Sequence, residues 1–200
     1  MYSIRQYTPL YWILAYLLFT FSHLASGNQE HKAKLLLVQI TGVQQLAKQA
    51  RFIQAVKQQN AQDMSLDEIR KRDQAWMSSD DSLPLKASMT SSDIGTYLKN
   101  LIMHNSDKYN EVFVTDNQGA NVAAYPLTSD YWQGDEDKFI NAFANGNGDI
   151  HIGGMEFDES TQTNAVQISV PIMYNSKAIG VLVMGVKVDH IIADKLSNSQ

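Results

Sequence analysis

Cysteine is absent from this 200-residue chain, which excludes disulfides, thiolate metal sites and cysteine nucleophiles. Basic residues are few and scattered: 16 Lys and Arg face 21 Asp and Glu, for a net charge of -5. Nucleic-acid binding needs concentrated Lys and Arg to neutralise phosphates, so that class of partner is excluded, and electrostatic adhesion to an anionic membrane with it. The motifs of covalent catalysis are missing too. There is no nucleophile elbow, no paired serine and histidine motif and no phosphate-binding glycine loop. Ser160 and His151 pair as nucleophile and base only by proximity in the sequence, whereas such constellations are defined by geometry. His31, His104, His151 and His190 lack the paired spacing of a zinc site. Asp130, Asp135, Glu136 and Asp137 supply hard oxygen ligands without the spacing of an EF-hand loop. The chain is read as a non-enzyme that calls for no cofactor and no metal.

What is present begins with an apolar amino terminus. Arg5 precedes the run Leu10 to Phe19, and small residues follow at Ala25 and Gly27, the three-part layout of a secretory signal. Residues 1–27 are therefore expected to direct export to the periplasm or outside the cell. The rival reading is an uncleaved inner-membrane anchor over residues 10–26, slightly short for a span of roughly 20 residues. The remaining length suits one domain, with a helical part over residues 28–110 and a sheet over residues 111–200.

Leu36, Ile40, Val43, Ala47, Ala50, Ile53 and Val56 recur at three- and four-residue steps, predicting one long amphipathic helix with Gly42 inside it. Ser65 and Glu68 form a capping box that starts a second helix near Leu66, its sparse apolar residues resting on the first helix. Ser78 to Leu83, followed by Pro84, is expected to be a loop, and a third helix is expected from Ser92 to His104. The period then changes. Val112, Phe113 and Val114 predict a buried strand, Asp116-Asn117-Gln118-Gly119 a turn, and Asn121 to Tyr125 the returning strand. Pro126 to Gly134 is loop, and Asp135 to Asn145 is helix-like. A third strand begins at Ile150 and is interrupted by EFDESTQTN. A fourth alternates over Val166 to Ile172, with Pro171 marking an edge or bulge. Ala178 to Val188, apolar on both faces, is the candidate sheet centre, and His190 to Leu196 a short closing helix. The expected fold is α+β: a largely antiparallel meander of about five strands with the long helix on one face.

The segments VFVTDNQGANVAA, TSDYWQGDEDKF, GGMEFDES and VPIMYNSKAIGVLVMGV together resemble the extracytoplasmic PAS-like sensor domains called Cache or PDC domains. The resemblance covers Glu111 to Asp189. It implies an exported or anchored sensor whose sheet and loops enclose a small-molecule pocket and whose output is a kinase, cyclase or chemotaxis module. Only 11 residues follow Asp189, so the expectation is that ligand state passes to a separate membrane-bound partner. The arginine and aromatic pair of the amino-acid-binding branch is not matched at Asp135-Glu136-Asp137-Lys138-Phe139, which disfavours an α-amino-acid ligand. A ligand-free regulatory or structural subunit, acting through its amino-terminal helix as a homodimer or partner interface, is the alternative.

Within that frame Asp130, Tyr131, Trp132, Gln133 and Asp135 offer two aromatic walls and several polar groups, the composition of a small-ligand pocket. The competing reading makes Tyr131 and Trp132 core plugs and Asp135 a helix cap. Asp158 and Ser160 lie in a loop able to close over the same space, and Asn121 points into it or serves an ordinary turn. Gln167 and Ser169 line the floor or face solvent.

Overall fold

The computed structural model describes residues 34–158 and 163–188. The chain divides into two compact units, Met1–Val38 and Gln39–Gln200. Residues 34–38 of the first are helical. The export segment, Ser160 and the expected helix His190 to Leu196 lie outside the described residues.

The second unit opens with α1, residues 39–47, followed by α2, Ala50–Asn60. One long helix was expected, and the structure breaks it at Gln49, whose backbone is extended (φ -67, ψ 139) and whose carbonyl accepts from the amides of Phe52 and Ile53. No glycine or proline causes the break. Ile40, Val43 and Ala47 are buried at helical spacing, but the next buried residue is Phe52, five positions on. A continuous helix turns about 500° over five residues and would carry Phe52 away from that face. The interruption restores it, seating Phe52 edge-on against Tyr97 with ring centroids 5.8 Å apart. Ala50, counted in the stripe from its spacing, is exposed.

Helix α3, Leu66–Ser78, starts where the capping box places it, with Ser65 Oγ accepting from the Glu68 amide at 3.3 Å. It does not rest on the first helix. Its buried residues Ile69 and Trp76 pack instead with Met89, Ala120 and Tyr131. Helix α4, Pro84–Ser91, occupies part of the stretch beyond the expected loop, where no helix was expected. Its sequence buries only Lys86 and Met89 and shows no stripe, but Pro84 sits in the first turn, where a fixed φ and a missing N–H cost nothing. Helix α5, Asp93–His104, is capped by Ser92, whose Oγ accepts from the Gly95 amide at 3.1 Å.

Five antiparallel strands follow: β1, Tyr109–Thr115; β2, Asn121–Tyr125; β3, His151–Asp158; β4, Thr163–Tyr174; and β5, Lys177–Lys187. Their order is β2-β1-β5-β4-β3, so the sheet is not a meander: β5 closes against β1 and becomes the centre. The turn from β1 to β2 uses Gly119 at φ +86, as its sequence requires. Strands β3 and β4 run on through much of EFDESTQTN, which was expected to interrupt them. Pro171 lies beyond the last β3 partner, since His151 pairs with Ser169, and beside a register shift at Ile172. Its missing amide therefore falls where β4 has no neighbour on that side.

The two sheet faces are covered differently. On one, Val56 of α2 reaches the backbone of Gly180, where an added Cβ would lie 2.9 Å from Val56 Cγ1 and 2.2 Å from the Thr115 carbonyl oxygen. Asn60 fixes the end of α2, donating to the Ile179 carbonyl at 2.8 Å and accepting from the Asn117 amide at 3.0 Å. On the other face lies α6, Asp137–Phe143, whose Phe139 and Ala142 pack on Phe113, Ala124, Val181 and Val183. The architecture is the expected α+β, PAS-like sheet with a helical layer on one side.

Candidate functional site

The loop after β2 holds most of the residues singled out from sequence, and the structure ties them together internally. Residue Ala120 forms an antiparallel bridge with Trp132, the Asn121 amide donates to the Tyr131 carbonyl at 3.0 Å, and the Gln133 amide donates to the Gly119 carbonyl at 2.8 Å. Asp73 on α3 locks the loop, its Oδ1 accepting from the amides of Tyr131 at 2.8 Å and Trp132 at 3.0 Å. Nothing in the sequence pattern marked Asp73, because its partners lie 58 and 59 residues away.

Tyr131 is buried against Trp76, with ring centroids 6.0 Å apart, and its hydroxyl accepts from Gln59 Nε2 at 3.3 Å. Trp132 is half-buried; its indole N–H donates to the Gln118 carbonyl at 2.8 Å, and the Arg70 guanidinium lies 5.3 Å from its ring centroid. Gln133 is buried and donates to Asp130. Asn121 is buried as well, donating to Thr128 Oγ1 at 2.7 Å and the Asp130 carbonyl at 3.2 Å, while its Oδ1 has no hydrogen-bond partner. Asp135 is exposed, and the residue at the N-cap of α6 is Glu136.

Behind this loop sits Asp116, 2% exposed. Its Oδ1 accepts from the amides of Gln118 at 2.8 Å and Ala120 at 2.9 Å, and its Oδ2 from Gln59 Nε2 at 3.4 Å. Burial pushes this carboxyl above its ordinary pKa, and the hydrogen bonds to its ionised form only partly offset that. Burial likewise raises the Tyr131 hydroxyl, with the Asp116 charge adding to it.

The structure thus brings Asn121, Asp130, Tyr131 and Gln133 into one bonded cluster at the β2 edge. It does not bring Asp158 to them. Asp158 ends β3, opposite Thr163 on the far edge of the sheet. Four strand spacings of about 4.8 Å separate the two edges.

Open space on the α6 face lies on the β3 side. A groove of about 320 Å³ is lined by Glu136, Asp137 and Lys138 at the start of α6, by His151, Gly153 and Gly154 on β3, and by Gln167 on β4. Between Ile152 and Met155 the β3 register shifts, so Gly153 and Gly154 form a bulge opposite Gln167. An added Cβ at Gly154 would meet nothing within 4 Å, and one at Gly153 only the ordinary surface of Gln167. Lys138 Nζ bridges to Glu136 Oε2 at 2.8 Å and stands 5.6 Å from the Phe113 ring centroid. Gln167 Nε2 donates to Glu111 Oε1 at 2.8 Å. Ser169 is two residues along β4 and therefore on the same face; it is fully buried, and its hydroxyl has no partner. Of these residues only Gln167 and Ser169 were weighed as pocket floor from sequence. The doubled glycine in a strand was the available signal for a bulge or a close approach.

Two other hollows are present among the described residues. One, between α2 and α5, is lined by Arg51, Gln58 and Asp93; the other by Lys48, Asp149 and Met173. Neither is lined by an unpartnered buried polar group. No three His, Asp or Glu side chains among the described residues cluster as a metal site.

No family model matches the chain, and no curated protein matches it. Solved structures do. The sensory domain of the Campylobacter jejuni chemoreceptor Tlp3 (CcmL) with isoleucine bound is similar at 16% identity over 80% of this chain and 64% of that one, with a TM-score of 0.37. The ligand-binding domain of the Pseudomonas aeruginosa PAO1 amino acid chemoreceptor PctC in complex with GABA is similar at 13% identity over 61% and 51%, with a TM-score of 0.36. The sensor domain of the V. cholerae histidine kinase DctB is similar at 14% identity over 70% and 59%, with a TM-score of 0.38. The chain spans between 51% and 64% of the length of these three structures.

Proposed function

We propose that this chain is an extracytoplasmic, Cache-like sensor domain that binds a small molecule and passes its state to a membrane-bound partner, a kinase, cyclase or chemoreceptor. The observation that carries this reading is the groove beside the Gly153-Gly154 bulge, with Gln167 at its floor and the unpartnered Ser169 hydroxyl on the same sheet face. Glycines that hold a strand flat leave room for a ligand against backbone. The residues at 121, 130, 131 and 133 then support the domain edge, while the groove receives the ligand.

A thermal-shift screen of the full chain against amino acids, carboxylates, amines and purines tests it, because a ligand that binds only the folded state must raise stability. A stabilising compound supports the sensor reading. A panel without effect favours the ligand-free regulatory subunit, a reading supported by the extent to which the loop at residues 130–133 is closed by its own hydrogen bonds. Export by residues 1–27 belongs to the same proposal and is tested by amino-terminal sequencing of the protein recovered from the periplasm.

A further inference from the structure

We infer that the groove beside α6 selects a small organic cation, an amine or quaternary ammonium compound without a carboxylate. This rests on the groove being the ligand site. Of the charged side chains that line it, Glu136 and Asp137 are acidic and Lys138 is basic. Lys138 is not available to an anion: its ammonium is held at 2.8 Å by Glu136 and stands over the Phe113 ring. Asp137 is exposed at the groove wall.

The floor has the same polarity. Gln167 uses its amide nitrogen on Glu111 at 2.8 Å, so the atom it has left to offer is its oxygen, and the Glu111 carboxylate stands directly behind it. The unpartnered Ser169 hydroxyl offers a further acceptor on this face. It has no exposed surface as it stands, so a ligand N–H reaches it only as the edge of α6 gives way. Acceptors and negative charge therefore predominate, while the one lining ammonium is neutralised internally. A carboxylate ligand would meet Glu136 and Asp137 without a free cation to pair with, whereas an ammonium would find charge-assisted acceptors.

Isothermal titration of the full chain with putrescine, agmatine and choline, beside succinate, γ-aminobutyrate and glucose, decides the matter. The expected result is binding by at least one of the three cations. That binding should weaken tenfold or more in Glu136→Gln/Asp137→Asn, fall with added salt, and be lost in Gly154→Val, which fills the groove from a position with open space around its Cβ. Circular dichroism and the unfolding midpoint confirm that each variant is folded. Succinate, γ-aminobutyrate or glucose binding that Gly154→Val abolishes would overturn the cation inference and leave the groove as the ligand site. Cation binding unchanged in both variants would overturn the inference by placing the ligand elsewhere. Absence of binding by all six compounds would overturn it as well, and the broader thermal-shift panel would then judge the sensor reading separately.

Discussion

The amide nitrogen of Gln59 on α2 lies 3.3 Å from the Tyr131 hydroxyl and, with the same hydrogens, within 3.4 Å of Asp116 Oδ2 and 3.1 Å of the Asn121 carbonyl. One side chain from the helical layer thus serves three buried acceptors at the β2 edge. Gln59→Leu would strand them in a site without water, and a buried acceptor left unmade costs about 1–3 kcal/mol. The expected outcome is a loss of about 2 kcal/mol in urea unfolding with an unchanged m-value. A variant as stable as the parent would show that water replaces the amide.

Tyr131 itself is expected to behave as a core residue. Tyr131→Ala should cost about 3–5 kcal/mol by opening a cavity against Trp76, Ile69 and Met89. Tyr131→Phe, which keeps the ring and loses the single hydrogen bond from Gln59, should cost about 1 kcal/mol. Chemical denaturation of the two variants side by side checks the ratio.

How much of this was legible in the sequence depends on how far apart the partners lie. The turn at Asp116 to Gly119 and the central position of β5 follow from local chemistry, positive φ at Gly119 in one case and apolar residues on both faces in the other. The break at Gln49 carries no glycine or proline. It arises because tertiary packing selects Phe52 rather than Ala50 and Ile53 for burial. The same holds at the site. DYWQ has the composition of a pocket, yet whether its aromatics face a ligand or the core is decided by Asp73, Trp76 and Arg70 on a helix more than 50 residues upstream. The placement of Asp158 far from Asn121 follows from strand order, which no single segment encodes.

Asp116 predicts a pH dependence. Its folded pKa is raised above the ordinary carboxylate value, so the native state favours the protonated form more than the unfolded chain does. Its contribution to stability is fully present below the ordinary pKa of about 3.9 and is lost as pH rises through the raised folded value. The stability difference between Asp116→Asn and the parent should therefore shift in favour of the variant across that window and then level off. Denaturation midpoints at a series of acidic pH values check this; a difference that runs the other way would mean that the hydrogen bonds to the carboxylate outweigh its burial.

Two glycines should answer oppositely to alanine. Gly180→Ala forces a Cβ to within 2.2 Å of the Thr115 carbonyl oxygen and should cost about 3 kcal/mol or more through backbone displacement at the sheet centre. Gly154→Ala meets open space and should leave the unfolding midpoint close to that of the parent. Thermal unfolding of both variants provides the comparison.

Ser169→Ala removes a fully buried hydroxyl that has no partner. It should stabilise the ligand-free protein by about 1 kcal/mol, since the desolvation cost of the unmet group disappears. If that hydroxyl serves the ligand, the same variant binds more weakly, the exchange of stability for function common at binding sites. Unfolding and titration of the one variant measure both effects.

The most direct test of the central claim is the ligand-induced shift in thermal unfolding, measured for the full chain and for Gly154→Val against the same metabolite panel. The sensor account predicts a concentration-dependent rise in Tm for at least one compound in the parent and none for that compound in the variant. No rise across the panel, or an equal rise in both proteins, would contradict a ligand site in the groove beside α6.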